Sequence, residues 1–290
     1  MEIGRVGLWS ILDATRGADS AAFARKVERL GYSALWIPEA VGREPFAHAG
    51  YLAASTERLI IATGIANIWA RDPMTMMAGA RTMAELSGGR FVLGIGVSHE
   101  PLVRVRGRQF VKPYSYMREY LPKMKSAIYM AVKPPEEPPI LIAALHPKML
   151  ALAAEQTYGT HTYFVPPEHT AKARAIVGPR AWICAAQAVL LETDPAVARE
   201  AARDYMKTYI RLPNYANMLK ALGFSDADFA DGGSDRLVDA VVAWGNEDQL
   251  RERIAAHHRA GATHVCILPL RTDKRPLPDE RTMEALAPGR

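Results

Sequence analysis

The feature that most restricts the fold is a rhythm. Short β-rich apolar runs alternate with amphipathic helical stretches along most of the 290 residues. Parallel strands need a crossover between them, so this alternation argues for βαβ units around a parallel sheet. The predicted strands are 5–10, 34–37, 59–66, 91–95, 140–144, 160–165, 182–190 and 263–268. Helical segments are predicted at 20–30, 73–86, 115–130, 147–156, 195–210 and 247–260. Eight strands separated by helices predict one closed (β/α)8 TIM barrel. Such a barrel takes about 250 residues and uses nearly the whole of 1–290 as a single domain.

The junctions agree with this reading. Pro73 behind Asp72, and Pro195 behind Asp194, put proline at a first helical position after a capping carboxylate. Asn246 caps a helix that opens with Glu247 and Asp248. Gly31, Gly88 and Gly261 stand where helices should end. The proline-rich stretch 133–139 is read as a rigid loop rather than a linker, because an apolar run follows it at once. Segment 211–243 is longer than an ordinary βα connection. It is read as a helical insertion before the last barrel strand, with pieces around 215–222 and 235–244 parted by Asp231-Gly232-Gly233. A lid over a site and an extra packed helical pair are both open for it.

Composition narrows the function classes. A chain that is 49% hydrophobic can fill a large core. Cys184 and Cys266 sit in apolar runs without metal or redox spacing, as reduced thiols of a cytoplasmic protein would. No run approaches the ~20 apolar residues of a membrane span, and the start reads straight into a strand without a signal peptide. The expectation is therefore a cytoplasmic protein with no membrane partner. The formal charge of +5 and pI near 9.2 do not mark a nucleic-acid binder, since the bases are dispersed and Glu28 stands among Arg25, Lys26 and Arg29. Arg104, Arg106 and Arg108 are the one local concentration, either a solvated loop or a contact to an anionic ligand. No metal-ligand spacing occurs. His257 and His258 are adjacent near a helix C-terminus, where charge–dipole capping explains them. No lysine ends a predicted strand, so a Schiff-base nucleophile is lacking. The hard chemistry must then come from a bound cofactor.

Three stretches together resemble the luciferase-like superfamily of flavin monooxygenases and coenzyme F420-dependent oxidoreductases. They are Gly31-Tyr32-Ser33-Ala34-Leu35-Trp36-Ile37-Pro38-Glu39, Ile61-Ala62-Thr63-Gly64-Ile65-Ala66-Asn67-Ile68-Trp69-Ala70-Arg71-Asp72-Pro73 and Leu86-Ser87-Gly88-Gly89-Arg90-Phe91-Val92-Leu93-Gly94-Ile95-Gly96. The similarity continues through 139–170 and 242–269. The form Gly96-Val97-Ser98-His99 is similar to the actinobacterial F420-dependent members. The resemblance implies that Glu39 lies next to an isoalloxazine-like ring. It also implies that Gly64-Ile65 forms a bulge with a non-proline cis bond behind that ring, close to Asn67. Gly96, Val97 and Ser98 would hold the coenzyme's phosphate or side chain. So would the Leu145-His146 turn before the helix at Pro147, with Thr160 in the next strand. Related dehydrogenases carry an acidic proton donor or acceptor where this chain has His99, and a histidine there can move a proton near neutral pH. Glu39 and His99 are therefore the catalytic candidates. Related sugar-phosphate dehydrogenases have a catalytic histidine where this chain has Ala40, which argues against that substrate.

Gly94-Ile95-Gly96 is not a dinucleotide fingerprint, because His99 stands where the third glycine belongs. His146 and His161 have core or capping roles as alternatives. Trp9, Trp69 and Tyr114 suggest a partly hydrophobic organic substrate, with a core role equally open to Trp69 and Tyr114 and preferred for Trp9. The leading expectation is an F420-dependent oxidoreductase. FMN-dependent monooxygenation and a non-catalytic coenzyme-binding barrel are the alternatives, and the family often forms homodimers.

Overall fold

The structure is a computed structural model, and it describes residues 1–273 and 275–288. Its strands are β1 (Val6–Trp9), β2 (Ala34–Ile37), β3 (Ile60–Thr63), β4 (Ala66–Asn67), β5 (Phe91–Gly96), β6 (Ile140–Ala143), β7 (Gly159–Tyr163), β8 (Trp182–Leu191), β9 (Val242–Gly245) and β10 (His264–Pro269). β1, β2, β3, β5, β6, β7, β8 and β10 pair in parallel in that order. β10 pairs with both β8 and β1, so the sheet closes into the expected barrel. The helices are α1 (Gly17–Arg29), α2 (Pro45–Ala54), α3 (Pro73–Leu86), α4 (Glu100–Val105), α5 (Pro113–Lys125), α6 (Pro147–Gln156), α7 (Pro167–Val177), α8 (Pro195–Met206), α9 (Pro213–Lys220), α10 (Asp235–Val241), α11 (Glu247–Arg259) and α12 (Glu280–Ala285). None of the described helices is long and apolar enough to cross a membrane.

Alternate residues of each strand face opposite sides, and here both sides are buried. Leu35, Ile61, Phe91, Leu93, Ile142 and Val265 join the apolar layer under the helices. Ala34, Trp36, Ala62, Val92, Leu141, Cys184, Ala186 and Cys266 fill the barrel. Small neighbours admit the large rings. A Cβ on Gly7 would lie 2.5 Å from His264 Nε2. Trp36 Nε1 donates to that same nitrogen at 3.1 Å, while His264 Nδ1 donates to the Gly4 carbonyl at 3.0 Å.

The helix starts form as expected. Asp72 accepts from the amides of Met74 and Thr75, Asp194 from those of Ala196 and Val197, and Asn246 and Gln249 make a reciprocal box. Three predicted boundaries shift. The helix expected to reach 130 stops at Lys125, because Ile128, Met130 and Val132 face solvent and offer no stripe to bury. The helix expected over 195–210 ends at Met206, with a 3-10 turn at Tyr209–Arg211 after it. The helical piece expected over 235–244 breaks at Val241, where β9 begins and pairs with the outer half of the ten-residue β8. The open edge of that long strand outweighs local helix preference. The insertion packs closely on the barrel: Tyr215, Met218, Leu219, Leu237, Val238 and Val241 are buried in the same cluster as the barrel interior.

Candidate functional site

The C-terminal ends of the barrel strands, where sites on this fold are built, carry two differently constructed halves around a bulge. β3 and β4 are separated by Gly64-Ile65, whose peptide bond is cis. Three hydrogen bonds from the ends of β1 and β2 hold this bulge. Gly64 N donates to the Ile37 carbonyl (2.8 Å), Glu39 N to the Ile65 carbonyl (3.1 Å), and Trp9 Nε1 to the Gly64 carbonyl (3.1 Å). The glycines of β5 make room for it. A Cβ on Gly94 would stand 2.0 Å from the Thr63 carbonyl oxygen, and one on Gly96 would stand 2.8 Å from Ile65 Cγ1. The Gly94-Ile95-Gly96 pattern is thus a packing requirement of the bulge. Ile65 itself is half-exposed at the barrel mouth.

On the β2–β5 side the organising group is Glu39, whose side chain is 4% exposed. Its carboxylate accepts from Asn67 N (2.7 Å), from Arg71 Nη1 and Nη2 (2.7 and 3.1 Å), and pairs with Arg106 Nη2 at 3.2 Å. Four donors fill a carboxylate's acceptor positions. Glu39 as placed therefore ties three loops together, with no lone pair left over for a ring. Arg106 also donates to the Ala40 carbonyl (2.6 Å), and Arg71 pairs with Glu44, which caps α2. Asn67 Oδ1 accepts from Trp69 N, and Trp69 Nε1 donates to the Val97 carbonyl (both 2.9 Å). Trp69 and Tyr114 pack toward the outer helical layer, Trp69 stacked on Tyr116 at 4.1 Å.

After β5, Ser98 adopts φ +56°, a left-handed conformation uncommon outside glycine. His99 follows at the N-cap of α4 and makes no side-chain capping bond. Burial lowers its pKa below the usual imidazole value, so the ring is neutral at pH 7. Among the described residues, the amides of Ser98 and His99 donate to no protein acceptor.

Beyond His99 the second half of the mouth is aromatic. The His99 ring lies 5.3 Å from Tyr215 of α9, and Tyr215 meets Tyr209 and Phe164 at 5.6 and 5.3 Å. Tyr163, the last residue of β7, packs 5.0 Å from Trp9 at the end of β1. Tyr205 of α8 donates to the Tyr163 hydroxyl (3.2 Å), which donates to the Tyr209 hydroxyl (3.0 Å). These tyrosines come from four elements, and the sequence reading missed them. The only local signal is the Tyr205/Tyr209 spacing of one helical turn.

Other expected site residues are placed differently. Leu145 is half-buried against the aromatic cluster. His146 Nε2 donates to the Asn214 carbonyl at 3.0 Å, fastening α9 to the start of α6. Thr160 is fully buried and donates to the Ile142 carbonyl at 2.9 Å, away from the mouth. His161 faces the barrel interior, stacks on Trp36 at 4.7 Å and donates Nδ1 to the Cys184 carbonyl. Cys184 and Cys266 are buried thiols whose pKa values are pushed up by desolvation. His257 belongs to a buried network with Gln187 and Thr170 (both 2.9 Å), and His258 bonds the Ala262 carbonyl. The structure thus brings together Glu39, Gly64, Ile65, Asn67 and the stretch from Gly96 to His99, and leaves Thr160 outside.

Residues 5–264 match the model of the luciferase-like monooxygenase family. A Mycobacterium tuberculosis protein assigned by name, without more, to the coenzyme F420-dependent oxidoreductases is 25% identical over 92% of this chain and 94% of its own. The F420-dependent tetrahydromethanopterin reductase of Methanopyrus kandleri superposes with a TM-score of 0.73 at 18% identity, covering 99% of this chain and 98% of that one. The oxygenating constituent of the Pseudomonas putida 3,6-diketocamphane monooxygenase, in complex with FMN, reaches the same TM-score at 16% identity, over 98% and 96%. A closed parallel barrel and a family match over most of the sequence converge, and the chain belongs to the luciferase-like monooxygenase family as an oxidoreductase.

Proposed function

We propose that this chain is an F420-dependent oxidoreductase acting on a small organic substrate. The observation that carries the reading is the framed Gly64-Ile65 bulge, with half-exposed Ile65 at the barrel mouth and a half-buried, neutral His99 after the next strand. Such a ledge gives a flat ring an apolar backing, and the amides of Ser98 and His99 offer donors to the coenzyme's polar atoms. The residues present fit the group. Bound there, a deazaflavin supplies two-electron hydride chemistry that no side chain of the mouth can supply. Ile65 would back the ring, and Glu39 keeps the surrounding loops in place through Arg71, Arg106 and Asn67. His99, neutral at the working pH, takes or returns the proton that must accompany a hydride at a carbon–oxygen centre.

The name of the mycobacterial relative, which spans nearly the whole chain, supports F420 over FMN. Parallel titration of the purified protein with F420 and FMN tests this, and tight binding of FMN without affinity for F420 would overturn it. In the direction that removes a proton from substrate, kcat/KM should fall as pH drops through the lowered pKa of His99, below the ordinary value near 6.5. His99→Asn should flatten that limb and cost about 100-fold in rate. A variant that binds coenzyme and turns over normally with an unchanged pH profile refutes the role of His99.

A further inference from the structure

The aromatic half of the mouth has a hydrogen-bond count that does not close on itself. Three phenols supply three O–H donors. The chain from Tyr205 through Tyr163 to Tyr209 uses two of them. Among the described residues, the third, at the Tyr209 end, has no protein acceptor. Tyr163, Tyr205 and Tyr209 are half-buried, so the trio is partly open to ligand. Desolvation raises the pKa of each, which leaves hydroxyls rather than phenolates at neutral pH.

The surroundings are uncharged. Trp9 lies 5.0 Å from Tyr163, Phe164 5.2 Å from Tyr209, and Tyr215 joins both to His99. None of the ring contacts or side-chain hydrogen bonds of these residues among the described residues reaches a charged side chain. The arginines of the opposite side, Arg71 and Arg106, are already engaged by Glu39. A charged ligand would lose hydration here without gaining a counter-charge. A neutral oxygen acceptor would gain a donor without that cost.

We propose that the Tyr209 hydroxyl, backed by Tyr163 and Tyr205, binds the carbonyl or hydroxyl oxygen of an uncharged substrate beside this aromatic cluster. Its role as the substrate site rests on the oxidoreductase reading above, whereas binding itself does not require coenzyme. The test is isothermal titration of the full chain with acetophenone and cyclohexanone. Benzoate and cyclohexanecarboxylate serve as ring-matched anions. At least one ketone should bind tenfold or more tightly than its carboxylate. Tyr209→Phe should weaken that ketone about tenfold, the size of one lost hydrogen bond, without changing the melting temperature or the F420 titration. If Tyr209→Phe does not fold, Tyr163→Phe, which removes the hydroxyl that donates to Tyr209, should weaken that ketone by a smaller factor. Carboxylates binding as tightly as ketones, no ketone binding, or ketone affinity unchanged in the folded variant overturns the proposal. F420 binding with a failed ketone pattern removes this proposal alone. The ketone pattern without F420 binding removes the coenzyme reading and leaves the pocket.

Discussion

The two sides of the barrel mouth solve the burial of polar groups in opposite ways. Between β2 and β5, Glu39 is buried with two arginines and a backbone amide, a small ionic lattice whose donors and acceptors are nearly all matched. Among the described residues, Arg106 Nε is the buried atom left over there. Between β7 and α9 the contacts of the described residues reach no charged side chain, and a trio of phenols has one O–H unmatched, with a neutral histidine at its border. A closed lattice fixes backbone, and an open one leaves something for a ligand. The ionic side is therefore read as the frame of the bulge, and the aromatic side as the surface that meets substrate.

Putting charge into the uncharged interior should do most to break this contrast. His161 and His264, inside the barrel beneath the mouth, are held neutral by burial with pKa values lowered to about 4. Their unfolded values lie near 6.5. The folded state thus binds protons less readily than the unfolded one. The stability they support is complete above about pH 6.5 and is lost as pH falls toward 4, up to about 3 kcal/mol per ring. Urea unfolding at pH 7.5, 5.5 and 4 measures this, and a flat dependence would contradict the neutral-interior account.

Removing charge from the other side comes next. Glu39→Ala leaves Arg71 and Arg106 without their buried partner and should cost about 3–5 kcal/mol. Coenzyme affinity should fall with it, since the loops flanking the bulge lose their common anchor. If Glu39→Ala is as stable as the parent by chemical denaturation, the carboxylate is not the organising group.

The smallest expected change lies on the boundary between the sides. Gly96→Ala places a methyl 2.8 Å from Ile65 Cγ1 and 3.1 Å from Ala143 Cβ. Overpacking of this kind costs about 1–3 kcal/mol. Coenzyme binding should weaken as Ile65 shifts, with ketone binding at the tyrosines nearly unchanged. Equal loss of both ligands would show that the halves are mechanically one.

The barrel strands were legible in the sequence because each is buried on both faces and reads as an apolar run with helix punctuation beside it. Asp72, Asp194 and Asn246 act within one turn of their own helices, so their caps were legible for the same local reason. The bulge and its neighbours Glu39, Asn67 and Ser98 came from resemblance, since composition and periodicity say nothing about a peptide isomer. β9 was hidden. Val242–Gly245 pairs in register with the outer half of β8, and the local sequence there reads as a continuing helix.

By itself the sequence determined the local pattern: which apolar runs alternate with helical stretches, where helices start, and that glycine stands at 64, 94 and 96. It did not determine who meets whom. Glu39 is satisfied by Arg71 and Arg106 across three loops, and Tyr163, Tyr205, Tyr209 and Tyr215 converge from a strand, a helix, a turn and an inserted helix. Barrel closure sets those meetings. The hydrogen-bond balance that separates a sealed ionic frame from a donor held open for ligand is therefore a property of the tertiary structure alone.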